Sequence, residues 1–376
     1  MLSVEKYLAL VEKARGGEKK LNVAEMRNLL LPPDDDCEKA LFGAAREVKL
    51  YYVGNYVNLR GLIELSNICT KDCLYCGIRK SNKFVNRYTL SDDEVIEAAA
   101  LAGKFGYGSV VLQSGERSDA AFAERIEKLL YRIGELPYDL GVTLSLGEQS
   151  LETYRRWRRA GAKRYLLRIE SSNPELFRKI HSQESDFRAR TAALRRLKKA
   201  DFQVGTGVMI GLPYQSVDDL ARDVKFFRDS DCDMIGMGPF IPQKDTPLGQ
   251  QFPDGEGDAE KRLQMSLRMI ALCRLVLRDV NIAATTALQA IDPANGRERG
   301  LLAGANVIMP NVGGVEHRKD YQLYNGKPAL DENAEAVRNQ LIKSLAAIGE
   351  YPRLNEHGDP QHYFRRIAAK VPGKAK

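Results

Sequence analysis

A chain of 376 residues exceeds one average domain yet lies within the range of single α/β barrels, and its 44% apolar content supplies ample core. No uninterrupted apolar run approaches membrane-spanning length, so no membrane-spanning helix is expected. The net charge of +7 is a modest excess that demands no polyanionic partner.

The start, Met-Leu-Ser-Val-Glu-Lys, has no basic region followed by an apolar stretch, so no signal peptide is expected. Residues 1–50 carry apolar side chains at helical spacing, broken at Pro32-Pro33-Asp34-Asp35-Asp36, and read as an N-terminal helical cap. From Tyr51 onward, short β-branched runs alternate with amphipathic segments. The expected strands are Val57–Leu65, Ser109–Gln113, Gly141–Leu146, Arg164–Ile169, Gln203–Ile210, Met234–Phe240, Asn281–Thr285 and Asn306–Met309. Between them lie helix signals. Ser91-Asp-Asp-Glu94 is a capping box, Leu151–Ala160 and Phe187–Ala200 place apolar residues three and four apart, and Ser216-Val-Asp-Asp219 opens a helix with acids in its first turn. Eight strand–helix units imply a closed parallel sheet, a complete (β/α)8 TIM barrel with a short N-terminal helical extension. The expected division is a cap over 1–50, a barrel over 51–350 and a basic tail over 351–376, loose at its end.

Within this order, Cys69, Cys73 and Cys76 carry the most chemical information. They form a C-x3-C-x2-C loop directly after the first strand. Three neighbouring thiolates can hold three irons of a cubane cluster and leave the fourth open to a small molecule. The alternative is zinc, which wants four closed ligands; Cys37, Cys232 and Cys273 stand alone, and the four histidines form no matching pair. The lone cysteines read as buried small hydrophobes, and so few cysteines imply a reducing, low-oxygen cytoplasm rather than a disulfide framework.

Polar and glycine-rich residues gather after the other strands too: Gln113-Ser-Gly-Glu116, Ser145-Leu-Gly-Glu148, Arg168-Ile-Glu170-Ser-Ser172, Gly207-Val-Met-Ile-Gly-Leu-Pro213, Gly238-Pro-Phe-Ile-Pro242, Thr285-Thr286 and Met309-Pro-Asn311. Each alone reads as a turn; together they mark the barrel mouth where chemistry is placed. Arg60, a charge inside the first strand, should point partly inward and meet an anion or carboxylate. The basic runs Arg155-Arg156-Trp-Arg158-Arg159 and Arg195-Arg196-Leu-Lys198-Lys199 read as solvated helix faces rather than a nucleic-acid site, with docking of an acidic protein left open.

The cysteine loop resembles the signature of the radical S-adenosylmethionine (SAM) enzymes. Further runs extend the likeness over roughly residues 50–330: Glu64-Leu-Ser-Asn-Ile-Cys69, Val111-Leu-Gln-Ser-Gly-Glu116, Thr143-Leu-Ser-Leu-Gly-Glu148, Arg164-Tyr-Leu-Leu-Arg168, Gly236-Met-Gly-Pro-Phe-Ile-Pro242 and Ala305-Asn-Val-Ile-Met-Pro-Asn311. Together they resemble the [FeFe]-hydrogenase maturases of the HydE type, with biotin synthase and methylornithine synthase as cousins. The resemblance implies one [4Fe–4S] cluster on Cys69, Cys73 and Cys76, since no cysteine follows Cys273 for a second. It implies a SAM site built from Ser114, Glu116, Arg168, Glu170, Arg190, Met209 and Met309. An Arg fork matches the ligand's carboxylate, and Glu170 can accept from its ammonium or ribose hydroxyls.

It also implies substrate-side roles for Arg60, Gln113, Thr285, Thr286, Tyr321 and Tyr324. The activity implied is reductive SAM cleavage to a 5′-deoxyadenosyl radical, which attacks the cysteine sulfur of an iron–CO–cyanide–cysteine precursor inside the barrel. The partners implied are that organometallic small molecule, an electron donor such as ferredoxin or flavodoxin, and companion maturases. No nucleic acid and no membrane is expected. A radical mutase or sulfur-chemistry enzyme acting on a small amino-acid-like substrate is the alternative, and a cluster-carrying interaction protein without turnover is a third reading.

Overall fold

A computed structural model describes residues 2–17, 20–255, 257–328 and 333–370. Three helices open the chain: α1 (Val4–Gly16), α2 (Val23–Leu29) and α3 (Asp35–Tyr52). Asp34, after the Pro32-Pro33 break, caps α3 by accepting from Cys37 N. The cap is clamped to the barrel by ion pairs: Arg27 with Asp218, Arg268 with Glu38, and buried Lys49 with Glu350 at 2.8 Å. Burial pulls the Lys49 ammonium down to about 8 even though Glu350 opposes the shift.

The barrel strands are β1 (Tyr56–Ser66), β2 (Ser109–Ser114), β3 (Gly141–Ser145), β4 (Ala162–Leu166), β5 (Gln203–Thr206), a short β6 (Met209–Ile210), β7 (Met234–Pro239), β8 (Asn281–Ala284) and β9 (Val307–Ile308). All pairings are parallel, β9 returns to β1 through Asn58↔Val307 and Leu59↔Ile308, and β6 pairs only with β7. Eight strands therefore close a ring, as the alternation of apolar runs and helix signals requires. Helices coat the outside; the one at Ala259–Leu277 is buried along much of its length because α3 covers it.

Two strands differ from expectation. The run 203–210 is split into β5 and β6. Gly207 lies against β7, where an added Cβ would stand 1.7 Å from Gly236 O, and its own carbonyl accepts from Ile169 N and Glu170 N. The β4 ladder begins two residues earlier than expected, at Ala162. Its formal end is Leu166, although inter-strand bonds continue through Leu167 and Ile169 to Glu170, whose φ of 61° ends the extended run.

Cys37, Cys232 and Cys273 are buried, as expected of small hydrophobes. The two basic runs lie on the helices Leu151–Arg159 and Phe187–Lys199. Arg156 there pairs with Glu127 and Lys198 with Asp231, while Arg155, Arg159, Arg195 and Lys199 face solvent.

Beyond residue 350, a tenth strand, β10 (Tyr351–Arg353), joins β1 at its amino end, and a helix (Gln361–Lys370) follows. Residues 371–376, the end of the basic tail, lie outside the described residues. The helix is tied to carboxylates at the amino ends of β7 and β8. Arg365 grips Asp279 with two bonds, of 2.6 and 2.7 Å, and Arg366 reaches Asp233. His362 Nε2 stands 2.7 Å from Asp231. Burial works against the imidazolium, but hydrogen bonds to Asp231 and Asp279 outweigh it and raise the group to about 9.

A histidine with a folded-state pKa above its free value of about 6.5 stabilises the fold fully below that pH and loses the contribution as pH climbs through the folded value. Hydrogen exchange of the backbone at 361–370 should therefore accelerate between pH 6.5 and about 9, by at most about 3 kcal/mol of lost protection. His362→Gln should flatten that dependence. An unchanged slope in the variant would remove His362 as the cause.

Candidate active site

The carboxyl ends of the strands open into one cavity of about 310 Å³, inside the size range of small-molecule sites. Cys69, Cys73 and Cys76 form one part of its wall. The loop that carries them is held by backbone bonds: Thr70 N to Glu116 O at 2.9 Å and Gly77 N to Leu323 O at 3.1 Å. The Cys69 sulfur accepts from Lys71 N and Glu116 N at 3.4 and 3.3 Å, an arrangement that favours a thiolate. Gly115 permits this contact, because a Cβ there would lie 2.4 Å from Ile68 O and 2.7 Å from Cys69 Cβ.

Without metal the thiols resist ionisation. Burial and the neighbouring Cys69 push Cys73 up to about 12 against the pull of Arg190, and burial likewise raises Cys76 well above the ordinary thiol range. A bound cation is what would make three thiolates here favourable. Among the described residues, no group of three His, Cys, Asp or Glu converges as a single-ion site requires. A cubane spreads its ligands over separate irons, so three thiols sharing one wall fit three of its corners and leave the fourth iron open.

Beside the thiols lies a charged quartet of Glu116, Arg168, Glu170 and Arg190, all lining the cavity. Arg190 donates to Glu148 at 2.5 Å and to Arg168 O at 2.8 Å, and stands 3.7 Å from Glu116. Lys71 approaches Glu116 from the other side at 3.3 Å. Gly147, at φ 76°, makes room for Glu116: a Cβ would meet its Cγ at 2.2 Å. Burial raises Glu116 and Glu170 despite the facing cations.

Arg168 stands 2.9 Å from Glu170 Oε2 but gives its aligned bond to Val208 O, so Arg168 Nε and Glu170 Oε2 both lack an aligned hydrogen-bond partner. Buried polar atoms left this way call for a ligand. A carboxylate for the arginine edge and an ammonium or hydroxyl for the glutamate match the polar groups of SAM.

The same cavity is lined by Gln113, Thr285, Thr286, Tyr321 and Tyr324. Gln113 Nε2 donates to Tyr321 OH at 3.3 Å, and the Thr286 and Tyr324 hydroxyls are 2.7 Å apart. Ser114, Met209 and Met309 also line the wall, the serine hydroxyl donating to Gly115 O.

Arg60 is the one expected site residue that the cavity does not include. It points into the barrel but one layer below, at the level of Ser109, where it donates to Gly358 O at 3.2 Å. Asp359 of the same C-terminal segment pairs with Arg164. Among the described residues no carboxylate forms an ion pair with Arg60, which donates instead to Gly358 O and the Met234 sulfur; Asp359 only lies near enough to favour its charge.

Glu148, Lys71, Glu64 and Lys327 line or brace the cavity; Glu148 and Glu64 stood in the strand-end runs without a role of their own, and Lys71 and Lys327 were not singled out. Glu64 and Lys327 pair across it, and Asn311 Nδ2 donates to Glu64 at 3.0 Å. Glu64, a charge within an apolar strand, carried a readable signal; Lys327, in an irregular loop past the last barrel strand, carried none.

The Radical SAM superfamily model matches residues 63–227. The chain is 43% identical over 319 residues to the [FeFe] hydrogenase maturase subunit HydE of Thermotoga maritima, covering 85% of this chain and 88% of that protein. It is 28% identical over 358 residues to the 3-methylornithine synthase of Methanosarcina acetivorans, 92% and 96% of the two chains. The crystal structure of methylornithine synthase (PylB) superposes with a TM-score of 0.77 at 26% identity, over 96% of this chain and 100% of that one.

Proposed function

Because the chain belongs to the family of the [FeFe] hydrogenase maturase subunit HydE, within the radical SAM superfamily, we propose that its barrel holds a mononuclear iron complex bearing carbon monoxide, cyanide and cysteine and breaks that cysteine's carbon–sulfur bond. The family's cofactors are a [4Fe–4S] cluster and SAM, which when bound supply a 5′-deoxyadenosyl radical by one-electron cleavage of the sulfonium. The observation that carries the reading is one cavity at the carboxyl ends of the strands whose wall holds three thiols, two buried polar atoms without an aligned partner, and a set of hydroxyl and amide groups.

In this reading Cys69, Cys73 and Cys76 hold three irons. Arg168 takes the cofactor's carboxylate and Glu170 its ammonium or ribose hydroxyls. Arg190 and Glu116 fix that pair in place from behind. Met209 and Met309 offer soft apolar surface to the adenosyl group. Gln113, Thr285, Thr286, Tyr321 and Tyr324 orient the substrate's cyanide and carboxylate as neutral donors. Burial pushes Tyr324 up to about 12 and raises Tyr321 well above the ordinary phenol range, so neither phenol ionises near neutrality; they orient without giving up a proton. A low-potential ferredoxin or flavodoxin supplies the electron, and companion maturases deliver the precursor and receive the product.

Two measurements on anaerobically reconstituted protein separate the halves of this proposal. Tyr324→Phe and Thr286→Val should leave SAM cleavage within about threefold of wild type while cutting conversion of the iron–carbonyl–cyanide–cysteine complex by about 10- to 100-fold, the loss of one or two buried hydrogen bonds to a charged ligand. Equal loss of both activities would move these residues to the cofactor side. Turnover of a free amino acid with no iron complex present would favour the mutase reading that the methylornithine synthase likeness suggests.

A further inference from the structure

We propose that the outer face of the cysteine loop, centred on Phe84 with Lys80 and Lys83, is the docking surface for an acidic one-electron carrier protein. The inference rests on the radical SAM reading and adds where the electron enters. Phe84 is 82% exposed, and Lys80 and Lys83 are exposed beside it in sequence. Large aromatics held in water mark contact sites more often than a scattered aliphatic does.

The aromatic is held there by structure. Phe84 N donates to Asn82 Oδ1 at 2.9 Å, and Asn82 Nδ2 is anchored on Gly77 O at 2.6 Å. Arg87 clasps the loop from within, donating to the carbonyls of Asn67, Ile78, Arg79 and Asn82. The surface is pre-formed, which lowers the ordering cost of association.

Charge selects the partner. The acids on this rim are consumed internally: Asp72 by Arg79 at 2.7 Å and by Ser81, and Asp320 by Asn86 and His317. What faces solvent along the loop is cationic, so an acidic protein is steered to it and a basic one repelled.

Position selects the chemistry. Arg79 N bonds Cys76 O at 3.1 Å and Lys80 N bonds Lys71 O at 2.8 Å, so the exposed loop and the thiol-bearing loop are one hydrogen-bonded body. Lys80, Lys83 and Phe84 do not line the chamber, so a protein seated on them lies close to the cysteine loop and leaves the chamber to cofactor and substrate. One electron leaves the carrier's reduced cofactor, which is oxidised by one electron, and enters the cluster on Cys69, Cys73 and Cys76; no atom or proton is transferred.

The experiment titrates a low-potential flavodoxin, an acidic carrier, into reconstituted protein and reads the Kd calorimetrically at low and at physiological salt, without turnover. SAM cleavage driven by a small photoreductant is measured in parallel. Binding that weakens with salt, and that weakens at least about 10-fold further in K80E/K83E and in F84S but not in R155E/R195E on the other basic face, supports the proposal. Photoreductant-driven cleavage should stay at the wild-type level in all of them. Wild-type affinity in K80E/K83E and F84S, loss in R155E/R195E instead, no wild-type binding at low salt, or loss of photoreductant-driven cleavage in the surface variants would each overturn it. A wild-type protein that binds flavodoxin but never yields 5′-deoxyadenosine with the photoreductant would defeat the enzymatic reading and leave the docking surface standing.

Discussion

Cys73→Ala is expected to bring iron after anaerobic reconstitution from about four per chain to below about one, with loss of the cluster's visible absorbance and of all 5′-deoxyadenosine formation. The side chain sits in the cavity wall between Cys69 and Cys76, and neither Cys37, Cys232 nor Cys273 lines that cavity to replace it. The fold should survive, because the change removes one sulfur at the rim of an existing cavity. Thermal stability of the metal-free protein should shift by no more than about 1–2 kcal/mol. Cys273→Ala is the matched control: a thiol fully inside the helix-packed core, whose loss costs stability of similar size and leaves iron and cleavage untouched. Full iron and activity in Cys73→Ala would mean that the cluster is held elsewhere.

Arg190→Met should be nearly as damaging by a different route. The guanidinium is buried and spans Glu148, Arg168 O and the edge of Glu116. Burial alone would weaken such a cation, but Glu148 and Glu116 outweigh it and raise its pKa. Methionine fills the volume but leaves Glu148 and Glu116 without their shared cation, only Lys71 remaining on Glu116, a loss on the order of 3 kcal/mol in the unfolding free energy measured with urea. SAM affinity should fall by at least about 10-fold, because the Arg168 carbonyl and Glu116 lose their common anchor.

The defect should depend on pH with a defined sign. Glu116 already has a folded-state pKa above its free value, so its ionised form opposes folding above that pKa, and removing Arg190 moves it further up. The gap between variant and wild type should therefore narrow as pH falls through the raised pKa toward the ordinary carboxylate range, where protonation removes the repulsion. Arg190→Lys should lie between the two, keeping charge but losing the fork that meets Glu148 and Arg168 O together. A pH-independent gap would show that packing rather than charge is lost.

Most of the site could be read before folding was known, for a simple reason. In a parallel barrel most functional residues sit at or just past the carboxyl ends of the strands, so chain order alone lists much of the rim, though not Arg190 on its helix or Tyr321 and Tyr324 in the loop after β9. Cys69, Cys73 and Cys76 lie within eight residues and declare their chemistry by spacing. The strand ends carrying Gln113, Arg168, Glu170 and Thr285 were equally legible. Arg60 was not, because alternation along β1 tells that a side chain points inward but not at which layer. Two residues, about 6–7 Å of rise, separate Arg60 from the chamber wall at Leu62.

What the sequence by itself determined was the ring of eight strands, the thiol loop and the polar rim, all of which follow from local period and short spacing. Only the tertiary structure decided which charges meet. Glu148 with Arg190, Glu64 with Lys327 and Arg164 with Asp359 join residues 42, 263 and 195 positions apart, and it turned part of a basic tail into the floor of the barrel. Such pairs form because a buried charge without a partner is far costlier than one that finds its opposite, and where that opposite stands is set by ring closure, which no local pattern records.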